Sequence, residues 1–251
     1  MLQPWAIETS GLTKAFGDFC AVKDVTLRVR RGAIHALIGP NGAGKTTLFN
    51  LLTRFLPPTA GTIVINGQDV TTLAPAEIAR RGVARSFQIS SVFPHLTAHE
   101  NVRVALQRDL KTFYQFWRSD RSLAVLDARA DALLESVGIT AFAQTRAADL
   151  PYGRKRALEI ATTLALDPSI LLLDEPMAGL GMEDIEKISD LVVSVAQGRT
   201  VLMVEHNLRV VARLCSTITV LQRGEILVEG AYDDVSRNPA VIEAYMGQGH
   251  A

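Results

Sequence analysis

Residues 39–47 of this chain read Gly39-Pro40-Asn41-Gly42-Ala43-Gly44-Lys45-Thr46-Thr47 and fit the pattern G-x-x-x-x-G-K-[ST]. We call this stretch the phosphate loop. It follows the apolar run 33–38, which is typical of a buried strand, and precedes residues 48–52, which are typical of the start of a helix. In such a loop the glycines let the backbone bend around phosphate oxygens, while N–H groups and the positive end of the helix attract their charge. Lys45 is expected to reach the β- and γ-phosphates and Thr46 to bind Mg²⁺. The stretch therefore predicts a site for a nucleoside triphosphate.

Apolar runs on both sides of the phosphate loop predict an α/β fold. Early runs alternate between apolar and polar residues and are separated by turns, which indicates an antiparallel β part near the N-terminus. Later runs are almost continuously apolar, as in a parallel sheet covered on both faces. These later runs are residues 170–173, 200–204 and 217–221.

Between the two groups of strands the spacing of apolar residues becomes helical. We therefore predict a P-loop NTPase fold with a mainly parallel sheet core, an N-terminal antiparallel β part and an inserted helical subdomain. The whole chain forms one domain that binds and hydrolyses a nucleoside triphosphate in this prediction. Residues 1–88 and 167–251 make the catalytic α/β core, and residues 89–166 make the helical subdomain.

Composition limits the partners of this chain. Lys+Arg and Asp+Glu both total 26, so no net field favours nucleic acid. No apolar run approaches the roughly 18 residues of a membrane-spanning helix, and the N-terminus lacks the features of a signal peptide. Cys20 and Cys215 are too few for a zinc site or a disulfide framework, which fits a reducing cytosol. We expect a soluble protein that reaches a membrane only through a partner.

Acidic and polar side chains follow several of the predicted strands. Asp174 and Glu175 end the run 170–173, where the ligand site of a parallel sheet lies. Asp174 is expected to hold Mg²⁺ through water, and Glu175 to polarise the attacking water as general base. His206 follows the run 200–204, and Gln88 follows a shorter strand. Either one alone is typical of an ordinary surface residue, but both stand at strand ends that could converge on the γ-phosphate.

Several segments occur in the order found in ATPase subunits of ABC transporters, and the chain resembles that family over nearly its whole length. They are the phosphate loop, Gln88, the run Leu150-Pro151-Tyr152-Gly153-Arg154 (the signature segment), the pair Asp174-Glu175, and His206. Residues 12–17 also resemble the family's N-terminal segment, whose aromatic residue stacks on adenine. The resemblance assigns that part to Phe16.

The resemblance also implies a mechanism. Two such subunits close head to tail around two ATP molecules, so that each site combines the phosphate loop of one chain with the signature segment of the other. Gln88 then touches Mg²⁺ and links the site to the helical subdomain, and His206 contacts the γ-phosphate. Hydrolysis reopens the pair and drives a membrane partner between inward- and outward-facing states.

Two departures from the family pattern concern the signature side. Pro151 stands where the family pattern L-S-G-G-Q has serine, and Gly181 stands where aspartate is frequent. A helix start remains, with Gly153 expected to expose its backbone. Arg154 either adds charge to the site or, with residues 155 and 156, forms a solvated helix face. We expect a heterodimer with a second, different ATPase, in which the two sites need not be equal.

Further segments resemble the ATPases of branched-chain and hydrophobic amino acid importers. They are residues 85–88, 93–97, 100–102, the L-P-Y-G signature and residues 238–247. An extra segment around residues 111–121 resembles the longer of that system's two ATPases. This implies two membrane permease subunits, a solute-binding protein outside the cell, and a peripheral position at the cytoplasmic face of the plasma membrane. Residues 89–96, with Phe93, are either the docking site for the permease or a plain surface loop.

Other interpretations remain open from the sequence. An exporter ATPase of the lipopolysaccharide type has a similar length and ending, although Pro151 and Tyr152 argue against it. A soluble ABC ATPase acting on nucleic acid or the ribosome usually has two ATPase units or a long coiled coil, and this chain has neither. The aromatic cluster in residues 113–118 is either a docking patch or part of the helical core. Relatives in the same branch carry urea, amides or aromatic acids, so the cargo is left open.

Overall fold

The computed structural model describes residues 4–86, 92–107 and 126–246. Three sequence predictions lie outside these residues. They are the role of Gln88, the segment at 111–121 and the aromatic cluster at 113–118.

The chain divides into two compact units. The first consists of residues 1–85, 169–177 and 193–251, and the second of residues 86–168 and 178–192. The second unit thus includes residues 178–192, whereas the sequence predicts that these residues belong to the catalytic core.

The described residues form the following strands and helices. The strands are β1 (Trp5–Phe16), β2 (Phe19–Val25), β3 (Arg28–Arg30), β4 (Ile34–Ile38), β5 (Ala60–Ile65), β6 (Gln68–Asp69), β7 (Val83–Ser86), β8 (Ile170–Asp174), β9 (Thr200–Val204), β10 (Thr217–Gln222) and β11 (Glu225–Gly230). The helices are α1 (Lys45–Leu52), α2 (Pro75–Arg80), α3 (Ala98–Leu106), α4 (Asp127–Ser136), α5 (Tyr152–Leu164), α6 (Met182–Ala196), α7 (Leu208–Leu214), α8 (Tyr232–Ser236) and α9 (Pro239–Met246).

The first unit is built on two sheets. One is six-stranded, in the order β11-β10-β4-β9-β8-β7, with parallel pairing between β10 and β4, β4 and β9, and β9 and β8. The other is antiparallel, in the order β2-β1-β5-β6, with β3 also pairing with β1. This confirms the predicted fold class.

The parallel sheet positions the site. Every residue of β8 and β9 is buried, which explains why these strands read as continuous apolar runs. The core around them includes Leu37, Phe49, Leu172 and Leu202. Because β4, β8 and β9 are parallel neighbours, their carboxyl ends meet at the same edge of the sheet. The phosphate loop and Glu175 follow β4 and β8 directly, and His206 is the second residue after β9.

The second unit is helical in its described residues. Helices α3, α4 and α5 pack against one another. Helix α3 begins with a capping box, in which the hydroxyl of Thr97 accepts a hydrogen bond from the Glu100 N–H at 3.1 Å, and the Glu100 carboxylate accepts one from the Thr97 N–H at 2.7 Å. Among the described residues, no helix of either unit combines the length and apolar character needed to cross a membrane.

Candidate active site

The phosphate loop connects β4 to α1 and passes close to two backbone carbonyls. At Gly39 a Cβ atom would lie 2.1 Å from the carbonyl oxygen of Leu221, and at Gly44 it would lie 2.5 Å from that of Ala21. The φ angle of Gly44 is 103°, in a region that favours glycine. Glycine is therefore required at Gly44 both by the backbone conformation and by the neighbouring strand.

Lys45 is held by its own loop. Its ammonium group donates hydrogen bonds to the carbonyl oxygens of Gly39 at 2.6 Å and Pro40 at 2.9 Å. Burial lowers the pKa of Lys45, and the nearby carboxylates of Glu175 and Asp174 oppose that shift. The buried cation thus stands close to both acids that the sequence had singled out.

Asp174, at the end of β8, is buried and paired with an arginine. The Nη2 atom of Arg85 lies 2.6 Å from Oδ2 of Asp174, and Nη1 donates to Oδ1 of Asn50 at 2.5 Å. The guanidinium also lies 5.4 Å from the centre of the Phe49 ring. Sequence analysis gave Arg85 no role. The sequence shows only an arginine near the end of β7. It does not show that β7 lies beside β8 in the sheet, which is what brings Arg85 to Asp174.

Glu175 and His206 lie side by side. His206 Nε2 is 2.9 Å from Glu175 Oε1. The φ angle of Glu175 is 47°, which is uncommon for a residue with a side chain and persists where the surroundings enforce it. Its N–H donates to the carbonyl of Val204 at 2.9 Å, so the turn after β8 is tied to the end of β9. This turn presents the Glu175 carboxylate to the histidine.

A second buried acid, Glu205, fixes the backbone around this pair. Its Oε1 accepts a hydrogen bond from the Met177 N–H at 2.9 Å, and its Oε2 accepts from the N–H groups of His206 at 2.9 Å and Asn207 at 3.0 Å. Glu205 is only 3% exposed. Sequence analysis missed this role. The available signal was a carboxylate between a buried strand and a candidate site histidine.

One cavity of about 280 Å³ brings most of these groups together. Its lining consists of Asn41, Gly42, Ala43, Gly44, Lys45, Thr46 and Thr47 of the phosphate loop, together with Phe19, Ala21, Glu175 and His206. Phe16, which the resemblance implies for adenine, is 48% exposed and is not among the lining residues. Phe19, which sequence analysis did not consider, lines the cavity instead. The cavity therefore combines anion-binding backbone, a cation, a carboxylate–histidine pair and an aromatic ring.

The signature segment lies in the second unit. Pro151 occupies the N-cap position of α5, and the hydroxyl of Tyr152 donates to the carbonyl of Ala178 at 3.2 Å. The expectation that Gly153 exposes its backbone is wrong. Gly153 is buried, and a Cβ atom there would lie 2.6 Å from Cγ of Asp184, so the carboxyl group of α6 fills that space.

The basic run after Gly153 is only partly a solvated face. The guanidinium of Arg154 lies 5.7 Å from the centre of the Phe142 ring. Arg156 is buried and pairs with Glu159, with 2.7 Å between Nη1 and Oε2. Leu150, just before the helix, is buried as well. Leu150, Gly153 and Arg156 therefore pack within the second unit, whereas Pro151 and Tyr152 are exposed.

Comparison with known families and proteins agrees with this geometry. Residues 22–178 match the model of the ABC transporter family, and residues 225–251 match that of the branched-chain amino acid ATP-binding cassette transporter. The chain is 40% identical to the high-affinity branched-chain amino acid transport ATP-binding protein BraF of Pseudomonas aeruginosa, over 96% of this chain and 98% of that protein. It is 38% identical to LivG of Escherichia coli, a protein of the same description, over 99% and 100% of the two chains.

Solved structures show the same fold. The chain matches the crystal structure of the ADP conformation of MJ1267, an ATP-binding cassette of an ABC transporter. The TM-score is 0.86 at 27% identity, covering 98% of this chain and 100% of that one. A nucleotide-free ATP-binding cassette from an ABC transporter matches with a TM-score of 0.85 at 27% identity, over 96% and 98% of the two chains.

Proposed function

Because this chain belongs to the ABC transporter family of ATP-binding proteins, we propose that it powers an importer of branched-chain or related amino acids by hydrolysing ATP. The single observation that carries this proposal is the cavity that the phosphate loop shares with the Glu175–His206 pair. The amino acid cargo is supported by the match of residues 225–251 and by the relatives named above.

The positions of the side chains support the following catalytic roles. The backbone N–H groups of the phosphate loop, the N-terminus of α1 and Lys45 bind the phosphates and stabilise negative charge. Glu175 takes a proton from water as the water oxygen attacks the γ-phosphorus, and the bond to the β-phosphate oxygen breaks to release ADP. His206 contacts the γ-phosphate and orients the Glu175 carboxylate through their 2.9 Å contact.

The residues present suit Mg²⁺, which prefers hard oxygen ligands. Thr46 contributes a hydroxyl, and Asp174 contributes a buried carboxylate that Arg85 already holds in place. Gln88, the third ligand implied by the resemblance, lies outside the described residues. When bound, the ion neutralises charge on the β- and γ-phosphates.

Mutation of Glu175 tests the catalytic proposal. Glu175→Gln keeps the size of the side chain and removes its basicity, so the variant should bind ATP with near wild-type affinity and lose nearly all hydrolysis. The exposed Glu135→Gln is the matched control and should hydrolyse ATP normally. Equal turnover by Glu175→Gln and wild type would refute the role of Glu175 as the base.

Membership of this family supports a proposal about the partners of the chain. The chain works at the cytoplasmic face of the plasma membrane, bound to two permease subunits that a solute-binding protein serves from outside. It pairs with a second, different ATPase, because Pro151 replaces the serine of the signature segment. If so, Pro151→Ser should not produce an active dimer of this chain alone. A large gain of turnover in that variant without a second ATPase would contradict the heterodimer.

Phe93 is our choice for the permease contact. Its backbone is fixed to α3, since its N–H donates to Oδ1 of Asn101 at 2.7 Å and its carbonyl accepts from Nδ2 at 3.1 Å, while the residue remains 54% exposed. A rigid backbone with an exposed aromatic ring suits a docking contact. Phe93→Ala should abolish uptake by the assembled transporter and leave ATP binding unchanged. Normal uptake by this variant would exclude Phe93 from the contact.

A further inference from the structure

The side chains proposed above as ligands of Mg²⁺ stand on elements that are not neighbours in the sheet. Thr46 belongs to the first turn of α1, which follows β4 through the phosphate loop, and Asp174 ends β8. Strand β9 lies between β4 and β8, so these two strands are about 10 Å apart. The distance between the two ligands therefore depends on how α1 is held against the end of β8.

The guanidinium group of Arg85 joins these two elements. Its Nη2 lies 2.6 Å from Oδ2 of Asp174, and its Nη1 donates to Oδ1 of Asn50 at 2.5 Å. Asn50 stands four residues after Thr46 in α1, so both side chains project from the same face of the helix. Arg85 thus connects Asp174 to the face of α1 that carries Thr46.

The surroundings of this guanidinium leave it little freedom. The side chain of Arg85 is 7% exposed and that of Asp174 is 2% exposed. The guanidinium also lies 5.4 Å from the centre of the Phe49 ring, which is completely buried. The donors of an arginine lie in one plane as a rigid fork, so bonds to two partners fix the angle between those partners as well as the distance. A lysine ammonium carries the same charge without this fixed geometry.

We propose that Arg85 is a positioning residue for the metal ion of the ATPase reaction. By joining Asp174 to α1, it keeps the carboxylate within reach of an ion bound at Thr46, and it thereby sets the affinity of the nucleotide-bound site for that ion. The proposal rests on the proposed function, because it requires that nucleotide and metal bind here. Loss of a residue that holds a metal ligand in place typically lowers metal affinity by about 10- to 100-fold.

The test measures the affinity for metal separately from the affinity for nucleotide. The purified chain is held in excess over a non-hydrolysable ATP analogue and titrated with Mn²⁺ in place of Mg²⁺, and the electron paramagnetic resonance signal of the free ion is recorded. Isothermal titration of the analogue in EDTA gives the affinity of the phosphate loop without metal. Arg85→Gln should weaken Mn²⁺ binding by about 10- to 100-fold and leave the affinity in EDTA unchanged.

Two further variants separate position from charge. Arg85→Lys keeps the positive charge and loses the rigid fork, so it should restore only part of the Mn²⁺ affinity. Asn50→Ala removes the end of the connection on α1 and leaves the pair of Arg85 and Asp174 in place, so it should also weaken Mn²⁺ binding. Because Asn50→Ala keeps the buried ion pair, it tests the proposal even if Arg85→Gln fails to fold.

Arg156→Gln is the matched control. It breaks a buried arginine–carboxylate pair of the second unit, with 2.7 Å between Nη1 of Arg156 and Oε2 of Glu159, and it should change neither affinity. The proposal is overturned if Arg85→Gln, Asn50→Ala or Arg85→Lys binds Mn²⁺ as tightly as wild type does.

Two outcomes distinguish this proposal from its premises. If the affinity for the analogue in EDTA falls as much as the affinity for Mn²⁺, Arg85 only stabilises the fold and the proposal is overturned. Wild type that binds the analogue but not Mn²⁺ also overturns it and leaves the phosphate site intact. Wild type that does not bind the analogue at all would refute the proposed function itself.

Discussion

His35 should make the free energy of unfolding depend on pH. This residue of β4 is 1% exposed, and its Nε2 lies 2.7 Å from the hydroxyl of Thr219. That hydroxyl donates to the Glu229 carboxylate at 2.6 Å, so its oxygen accepts from an Nε2–H of neutral His35. Burial lowers the pKa of His35 from 6.5 to about 4. The perturbation is to lower the pH from 7 to 5 in wild type and in His35→Gln.

The sign and size of the effect follow from the two pKa values. Below pH 6.5 the unfolded chain takes up a proton on His35, and the folded chain does not until about pH 4, so stability falls as the pH falls through this window. One pKa unit corresponds to about 1.4 kcal/mol, which limits the total loss to about 3 kcal/mol. At pH 5 the loss from this residue is about 2 kcal/mol. Above pH 6.5 the contribution is constant.

Urea unfolding at pH 7 and pH 5 measures the effect. Glutamine cannot titrate, so His35→Gln should lose about 2 kcal/mol less than wild type between the two pH values. Any constant cost of the substitution cancels in this difference. The exposed His95→Gln is the control and should behave as wild type does. If His35→Gln shows the full wild-type loss at pH 5, His35 does not remain neutral in the folded chain.

Two further predictions concern the site itself. Glu205→Gln leaves at least one of the three N–H donors that now bond the buried Glu205 carboxylate facing an amide NH₂ group. The free energy of unfolding should therefore fall by about 2 kcal/mol. Urea unfolding measures this fall, and a midpoint equal to that of Glu135→Gln would refute it. Gly44→Ala combines an unfavourable φ of 103° with a Cβ that would lie 2.5 Å from the Ala21 carbonyl oxygen. It should lower the free energy of unfolding by about 3 kcal/mol. Gly42→Ala is the control, with a φ of 79° and nothing within 4 Å of the new Cβ, and should lower it by about 1 kcal/mol. Equal unfolding midpoints of the two alanine variants would refute this difference, because the Ala21 carbonyl would then move away from the new Cβ without loss of free energy.

Much of this arrangement could be predicted because local pattern and parallel topology agree. The phosphate loop is defined by consecutive residues, so one strand–loop–helix pattern is enough to place it. Glu175 and His206 follow continuous apolar runs, and parallel strands send their carboxyl ends to one edge of the sheet. The structure accordingly brings both side chains into the cavity of the phosphate loop.

The roles that sequence analysis missed depend on which elements are neighbours in the folded chain. Arg85 matters because β7 lies beside β8, an adjacency that the sequence does not contain. Phe19 lines the cavity because a skipped residue in the β1–β2 register sets the hairpin against Gly44. Gly153 is buried because Asp184, some thirty residues later, fills the space beside it. Each of these contacts is set by tertiary packing rather than by periodicity.

The two hydrogen bonds from Lys45 to carbonyls of its own loop have a consequence for the catalytic cycle. They tie the end of the Lys45 side chain to the first two residues of the loop, so they support the curvature of the loop. In the proposed function, a bound nucleotide would offer phosphate oxygens to Lys45 in place of these two carbonyls, and release of the product would restore the two bonds. The phosphate loop would therefore already have its curved shape when each new ATP binds.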